Sequence, residues 1–321
     1  MKENFEEIKK YNFWNRIPDN LGFKRDSYCK KILDYKNSKL IKVLVGQRRA
    51  GKSYILRQIM AKLIKDGLPK ENTLYINKEF TEFDFLKTPE DLDELLKYYK
   101  KAMKPKGKIC IFIDEIQNIE NWENFVNSHS QDFTENNDIY ISGSNSKMLS
   151  GELATMLSGR YVKFEIFPFC GIENFEKEKK SYIDYLNSGG LPELFILPNE
   201  ESKRNYVSSV KDTVLLRDII QRYKIKDPNL LEDLFVYSVN NASSLVSISN
   251  IVKYFKGKSL KTTYDTVSAY LGHMQDSYLI HKAERYDIRG KELLAGNSKY
   301  YINDMSYRNY LYSGFGYGIG Y

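Results

Sequence analysis

"VLVGQRRAGKSYILRQI", Val43–Ile59, passes from an apolar run through two glycines into a helical pattern. Gly46, then four residues, then Gly51, Lys52 and Ser53 satisfy the phosphate-loop pattern GxxxxGK[ST]. Chance gives that match in roughly one chain of this length in a hundred, before a strand in front and a helix behind are required. Both flanks read as required, with the strand pattern Leu40–Val45 ahead and a helix Lys52–Lys65 behind. The glycines let backbone N–H groups turn toward phosphate oxygens, and the helix start adds its positive end. In this reading the Lys52 ammonium meets the β and γ phosphates and the Ser53 hydroxyl binds Mg²⁺. The expected cradle comprises Gly46, Gln47, Arg48, Arg49, Ala50, Gly51, Lys52, Ser53 and Tyr54. Arg48 and Arg49 either reach phosphates or are solvated. ATP is favoured over a guanine nucleotide because no NKxD base-reading motif is evident.

Outward from this loop, strands and helices alternate. Residues 1–38 are polar and helical in tendency. Gly67 and Pro69 close the Lys52–Lys65 helix, and the strand Thr73–Asn77 follows. Next come the acidic helix "PEDLDELLKYYKKAM", the buried-type strand Lys108–Asp114, and the strands Ile139–Ser144 and Tyr161–Phe167. Four or five apolar strands separated by helices predict an α/β fold with a parallel sheet covered on both faces. From about Gly171 to Asp227 the pattern is helical, broken by the turn "NSGGLPE".

Phosphate hydrolysis also needs a carboxylate for the metal and a group to orient water. "ICIFIDEIQ" brings a strand to its end at Asp114, which can hold a Mg²⁺ water, while Glu115 can polarise the attacking water. An apolar strand ending in Asp-Glu is common by itself; its place downstream of a P-loop gives it meaning. "IYISGSN" ends in polar groups, and Ser142, Ser144 and Asn145 are all candidates for sensing the γ-phosphate, a role that a Ser/Asn-rich turn mimics. Arg160, just before a strand, is a candidate arginine finger in its own subunit or a neighbour's, although such an arginine is more often a surface residue.

The totals narrow the class. With 321 residues there is room for two domains, and no apolar run approaches the roughly 18 residues of a membrane span. The charged N-terminal "MKENFEEIKKYNFW" lacks an apolar signal core, so a cytoplasmic chain is expected. Cys29, Cys110 and Cys170 form no CxxC pair and only three histidines accompany them, which disfavours structural zinc; Cys110 reads as a small core residue. The net charge of +7 comes from 49 basic and 42 acidic residues spread along the chain, a weak argument for a polyanionic partner.

Residues 229–321 read as helix, short helix, helix and two strands, the order of a winged helix. Tyr264, Val267, Leu271, Met274 and Tyr278 are spaced to bury one face of the third helix. The two strands flank "YDIRGKELLAGNSK". For a duplex DNA partner, Lys261, Thr262 and Thr266 would face the groove, with Arg285, Arg289 and Lys291 meeting phosphates. Winged helices also serve as protein-contact modules.

GQRRAGKS, IFIDEIQNIENWE, YISGSNSKMLSGELATMLSGR, FEIFPF, GGLPE and LLRDIIQRY together resemble a family of prokaryotic AAA+-type P-loop ATPases with a C-terminal domain of unknown function. The resemblance runs from about Lys42 to the last residues. It implies Lys52 and Ser53 as nucleotide ligands, Asp114 as the Mg²⁺ carboxylate, Glu115 as base and Arg160 as a finger. Members look as though they continue past "KYYINDMSYRNYL" into a region similar to restriction-endonuclease-like folds, whereas this sequence stops at "SGFGYGIGY". A truncated gene product is therefore expected, to which no nuclease function carries over.

The expected organisation is a P-loop ATPase domain over 1–168, a helical lid over 169–228 and a winged helix, truncated at its C terminus, over 229–321. The expected activity is Mg²⁺-dependent ATP hydrolysis coupled to DNA or a protein partner. The competing expectations are a slow nucleotide-gated switch or DNA-binding regulator, and a non-enzymatic interaction module.

Overall fold

The computed structural model describes residues 1–149, 157, 159–170, 182–287 and 292–312. It contains two compact units, one of Met1–Gly46 with Gly51–Ile166, the other of Gln47–Ala50 with Phe167–Tyr321.

In the first unit, helices α1 (Lys2–Ile8) and α2 (Asp26–Leu33) precede β1 (Ile41–Val45), and α3 (Lys52–Lys65) follows the P-loop. Then come β2 (Thr73–Asn77), α4 (Pro89–Met103), β3 (Ile109–Asp114), α5 (Trp122–Gln131), β4 (Asn137–Gly143) and β5 (Tyr161–Glu165). The five strands form one sheet in the order β2-β3-β4-β1-β5, and every pair is parallel. Strands β1 to β4 are buried throughout, as a sheet with both faces covered requires. Helix α4 starts where a reciprocal cap fixes it: Thr88 Oγ1 accepts from the Asp91 amide and Asp91 Oδ2 from the Thr88 amide, with Pro89 in the first turn.

The polar N-terminal segment has a use that its composition hid. Asn12 exchanges hydrogen bonds with the backbone of Tyr75, and Trp14 Nε1 donates to the Thr73 carbonyl at 2.6 Å. These side chains occupy the outer edge of β2, which would otherwise be open to another strand.

Register levels the carboxyl ends of the strands. Asn77 pairs with Asp114, Ile113 with Ile141, and Val45 with both Gly143 and Glu165. In open α/β sheets, ligands bind beyond this edge. Here Gly46, Asp114 and Ser144 all reach it.

In the second unit, α6 (Tyr182–Ser188) and α7 (Glu200–Thr213) lead into a wide-wound π-helical run, Val214–Gln221. Next come α8 (Pro228–Asn240), β6 (Leu245–Val246), α9 (Ile248–Gly257), α10 (Tyr264–Asp276), β7 (Ile280–Asp287) and β8 (Glu292–Ile302). The sheet order is β6-β8-β7, antiparallel throughout. One apolar core runs from Leu191 to Tyr310, so the helices at 191–221 and the elements from 228 onward share it.

Three expectations change. The hairpin strands run into "YDIRGKELLAGNSK" rather than flanking it, and a two-residue strand, β6, joins them. On α10, Val267, Leu271 and Met274 are buried, but Tyr264, at the first turn, is 54% exposed; Tyr278 is buried beyond the end of the helix. Helix α9 continues through Gly257.

Candidate active site

The P-loop follows β1 without a break. Gly46 has φ of 149°, and a Cβ there would collide with the carbonyl oxygen of Ile166, whose own amide bonds to Val45 O at 2.7 Å. Only glycine fits that approach. Arg49 (φ 68°) and Gly51 (φ 96°) complete a loop of left-handed turns into α3. Lys52 is buried and its ammonium donates to the Gly46 carbonyl at 2.9 Å, closing the loop on itself.

Asp114 ends β3 wholly buried. The hydroxyl of Ser142 donates to it, as do Tyr75 at 3.0 Å and the Asn77 amide at 3.2 Å, and Ser53 is hydrogen-bonded to it as well. Burial pushes the Asp114 carboxyl above the ordinary range and the neighbouring Glu115 adds to this, while the bonds from Ser142, Ser53 and Tyr75 pull it back. Four polar groups do not offset the loss of water and the adjacent carboxylate.

Glu115 is held in the left-handed region at φ 53° and is 5% exposed. That conformation costs a non-glycine residue about 1–2 kcal/mol, and such strain collects at functional sites. The turn aims the carboxylate back at the loop: Lys52 Nζ lies 3.9 Å from Oε1, and Gln117 Nε2 donates to Oε2 at 2.5 Å. The Glu115 amide donates to Ser142 Oγ at 3.2 Å.

The three candidate sensors are thus distinguished. Ser142 braces the Asp114–Glu115 corner, Ser144 Oγ accepts from Gln117 Nε2 at 3.4 Å, and Asn145 is buried. Tyr75, Asn77 and Gln117 were not foreseen. The alternation of Tyr75 and Asn77 toward one face of β2, beside β3, was the available signal for two of them.

A divalent cation fits the donor set. The Ser53 hydroxyl and the Asp114 carboxylate are hard oxygen ligands set beside each other. Mg²⁺ in a P-loop takes one hydroxyl, one carboxylate and the substrate's phosphates, so two protein groups suffice. Among the described residues no cluster of three or more His, Cys, Asp or Glu competes for a metal.

Other candidates lie elsewhere. Arg160 is exposed at the amino end of β5, where Tyr161 pairs with Ile41, and it donates to Asn127 Oδ1 at 3.0 Å. The P-loop leaves β1 at the opposite end, five residues and about 17 Å away at strand rise. Arg160 therefore lies at the end of the sheet away from its own loop. Tyr54 is 45% exposed, with the Arg57 guanidinium 4.3 Å from its ring centroid. The Arg48 guanidinium is bound to Asp218 at 3.2 and 3.3 Å instead of standing ready for a phosphate or in water, and Gln47 is fully buried; Arg49 is exposed. In the second unit Lys261 and Arg285 are exposed, whereas Thr262 is 7% exposed and cannot face a groove as expected. Arg289 and Lys291 lie outside the described residues.

The sequence model of the AAA domain family matches residues 38–174, and that of a domain of unknown function matches 179–316. An uncharacterised protein of Haemophilus influenzae is 36% identical over 295 residues, covering 89% of this chain and 72% of the relative. The chain belongs to this AAA P-loop family. A second relative, an uncharacterised protein of Methanocaldococcus jannaschii, is 33% identical over 284 residues, which is 82% of this chain and 60% of that protein. Among solved structures, a Thermotoga maritima RuvB variant resembles the AAA chain with 14% identity and a TM-score of 0.41, over 89% of this chain and 94% of that one.

Proposed function

We propose that the chain is a Mg²⁺-dependent ATPase. The observation that carries this reading is the corner at the ends of β1 and β3, where Ser53 is hydrogen-bonded to a buried Asp114 and Glu115 is turned toward Lys52. In the proposed mechanism the backbone from Gly46 to Ser53 takes the phosphates. Lys52 exchanges its bond to the Gly46 carbonyl for the β and γ oxygens and offsets the charge that develops there. Ser53 and Asp114 would hold Mg²⁺, which when bound would supply positive charge against that of the phosphates. Glu115 accepts a hydrogen bond from the attacking water and aligns it, and Gln117 sets the orientation of that carboxylate. Ser144 takes the sensor role through Gln117.

The same reading assigns 1–168 to the ATPase domain, 169–228 to a lid and 229–321 to a winged helix that contacts duplex DNA or a protein. Its support is the order α8-β6-α9-α10-β7-β8 with the hairpin following the third helix. Lys253, Lys256, Lys258 and Lys261 are exposed along α9 and the turn after it, a basic stretch suited to phosphates. Arg160, at the sheet edge away from its own P-loop, acts on a neighbouring subunit's nucleotide. No helix among the described residues is long and apolar enough to cross a membrane, and a cytoplasmic setting is part of the proposal.

The test is phosphate release from ATP and Mg²⁺ by the wild-type chain, Lys52→Ala and Glu115→Gln, with and without duplex DNA. Multiple turnovers that depend on Lys52 are expected; their absence from a chain that still binds ATP would leave the nucleotide-gated switch.

A further inference from the structure

Four residues of the P-loop, Gln47 to Ala50, pack as part of the second unit. The side chains of two of them, Gln47 and Arg48, are held there by residues that no nucleotide motif contains. Gln47 is fully buried with both ends of its amide engaged: Nε2 donates to the Tyr307 hydroxyl, and Oε1 accepts from Asn303 Nδ2 at 2.5 Å. Asn303 in turn meets His281 Nε2 on β7 through its Oδ1 at 2.7 Å. Tyr307 is wholly buried, its ring edge-on to Phe235 with centroids 5.6 Å apart. Arg48 presents Nε and Nη2 to the two carboxylate oxygens of Asp218 at 3.2 and 3.3 Å. Asp218 is 2% exposed and lies in the π-wound run, and the hydroxyl of Ser277 donates to its backbone carbonyl at 3.4 Å.

A P-loop takes phosphate through its backbone N–H groups, so its variable side chains are free to be used otherwise. Left-handed conformations at Gly46, Arg49 and Gly51 make this backbone one of many that the sequence could adopt. Ordering it at the moment of binding would consume affinity, and ordering it beforehand saves that cost. A buried amide with both ends satisfied and a two-pronged guanidinium–carboxylate pair are the kinds of anchor that do so, because releasing either strands a buried polar group. We propose that Asp218, Asn303 and Tyr307 are positioning residues of the P-loop, gripping Arg48 and Gln47 so that the backbone is pre-ordered for a nucleoside triphosphate. Affinity for the nucleotide then depends on residues of the domain of unknown function as well as on the AAA domain. This rests on the nucleotide-binding reading above. The opposite arrangement, in which Asp218 restrains an Arg48 that would otherwise bind phosphate, predicts the reverse sign on removing Asp218.

The experiment is equilibrium binding of a fluorescent ATP analogue with Mg²⁺ to the full chain, followed by KM and kcat for phosphate release. Lys52→Ala serves as the control for the site itself. Asp218→Ala and Tyr307→Phe are expected to weaken binding about tenfold, the loss of one anchoring contact, and to raise KM with kcat little changed. Tyr307→Phe removes a single hydroxyl and keeps the ring in the core, so it reports even if Asp218→Ala fails to fold. Asp218→Glu, which keeps the charge, is expected to recover much of the affinity, and Arg48→Ala combined with Asp218→Ala is expected to be no worse than either alone. Wild-type affinity in both Asp218→Ala and Tyr307→Phe, with Lys52→Ala still defective, overturns the inference and leaves the nucleotide reading intact. Tighter binding in Asp218→Ala overturns it in favour of Arg48 as a phosphate ligand. Wild-type chain that does not bind, or binding indifferent to Lys52→Ala, overturns both.

Discussion

At the amino ends of β1 and β4, Lys42 is wholly buried against Asp138, and Lys108 reaches the same carboxylate at 2.7 Å. Tyr140 donates its hydroxyl to Asp138 at 3.0 Å, and the Lys42 ammonium lies 5.2 Å from the Tyr140 ring centroid. At the carboxyl ends of the same sheet, Asp114 and Glu115 are adjacent, both buried, with Lys52 at 3.9 Å from one of them. The first cluster carries two cations for one anion, all in direct contact; the second crowds two anions around one cation at longer range. Burial lowers the Lys42 pKa against the pull of Asp138, and burial with the Glu115 charge raises that of Asp114. A closed cluster has no use for another ion. The open one would be relieved by a cation set against it, which is what the proposed Mg²⁺ would supply.

Substitutions should therefore act oppositely at the two ends. The largest effect is expected at the open end: Glu115→Gln should lower phosphate release by about 10²–10⁴-fold while ATP binding persists, and unchanged turnover would reject Glu115 as the group that aligns water. At the closed end, Lys42→Met should cost about 3 kcal/mol in urea unfolding by leaving Asp138 short of a partner, with nucleotide affinity of the folded fraction unaltered. Asp114→Asn should raise the melting temperature of the nucleotide-free chain and abolish Mg²⁺-dependent binding, whereas Asp138→Asn should lower it; equal signs would erase the contrast.

Acidity sharpens the same comparison. Because folding raises the Asp114 pKa, its contribution to stability is present below the unfolded carboxyl value and is lost as pH rises through the folded one. Mg²⁺ binding needs the ionised carboxylate, so it should weaken as pH falls through that raised value and should release a proton there; calorimetry in buffers of different ionisation heat would measure it. The smallest effect is expected at Ser142→Ala, about 1 kcal/mol of stability, since this hydroxyl serves both Asp114 and the Glu115 amide.

What could be read in advance follows the range of the forces involved. The strands of the parallel sheet and the helix α3 were legible because burial on both faces and a phosphate loop leave local patterns, and the helix bounds Lys52–Lys65 and Pro89–Met103 agree with the reading. The place of Asp114 at the end of its strand was legible, but the bonds of Tyr75 and Asn77 to it were not, because they arise from parallel pairing with a strand more than thirty residues away. Which subunit's loop Arg160 could serve was not legible, because a motif gives order along the chain and says nothing about which end of a strand faces the site. Thr262 and Tyr264 exchanged expected environments for a related reason: helical spacing fixes a face, but the first turn of α10 projects beyond the core that would cover it.

The strand order has a consequence for how the protein is made. β1 emerges from the ribosome before its neighbours in the sheet, yet it hydrogen-bonds only to β4 and β5, which follow after residues 137 and 161. β2 and β3 can pair with each other long before that. During synthesis the first strand of the sheet is thus the last of the early ones to be closed in, with an apolar edge waiting on either side, and such delayed long-range pairing is slow and exposed to aggregation. A nascent chain released before Glu165 would carry the complete P-loop sequence on a strand that lacks its partner β5.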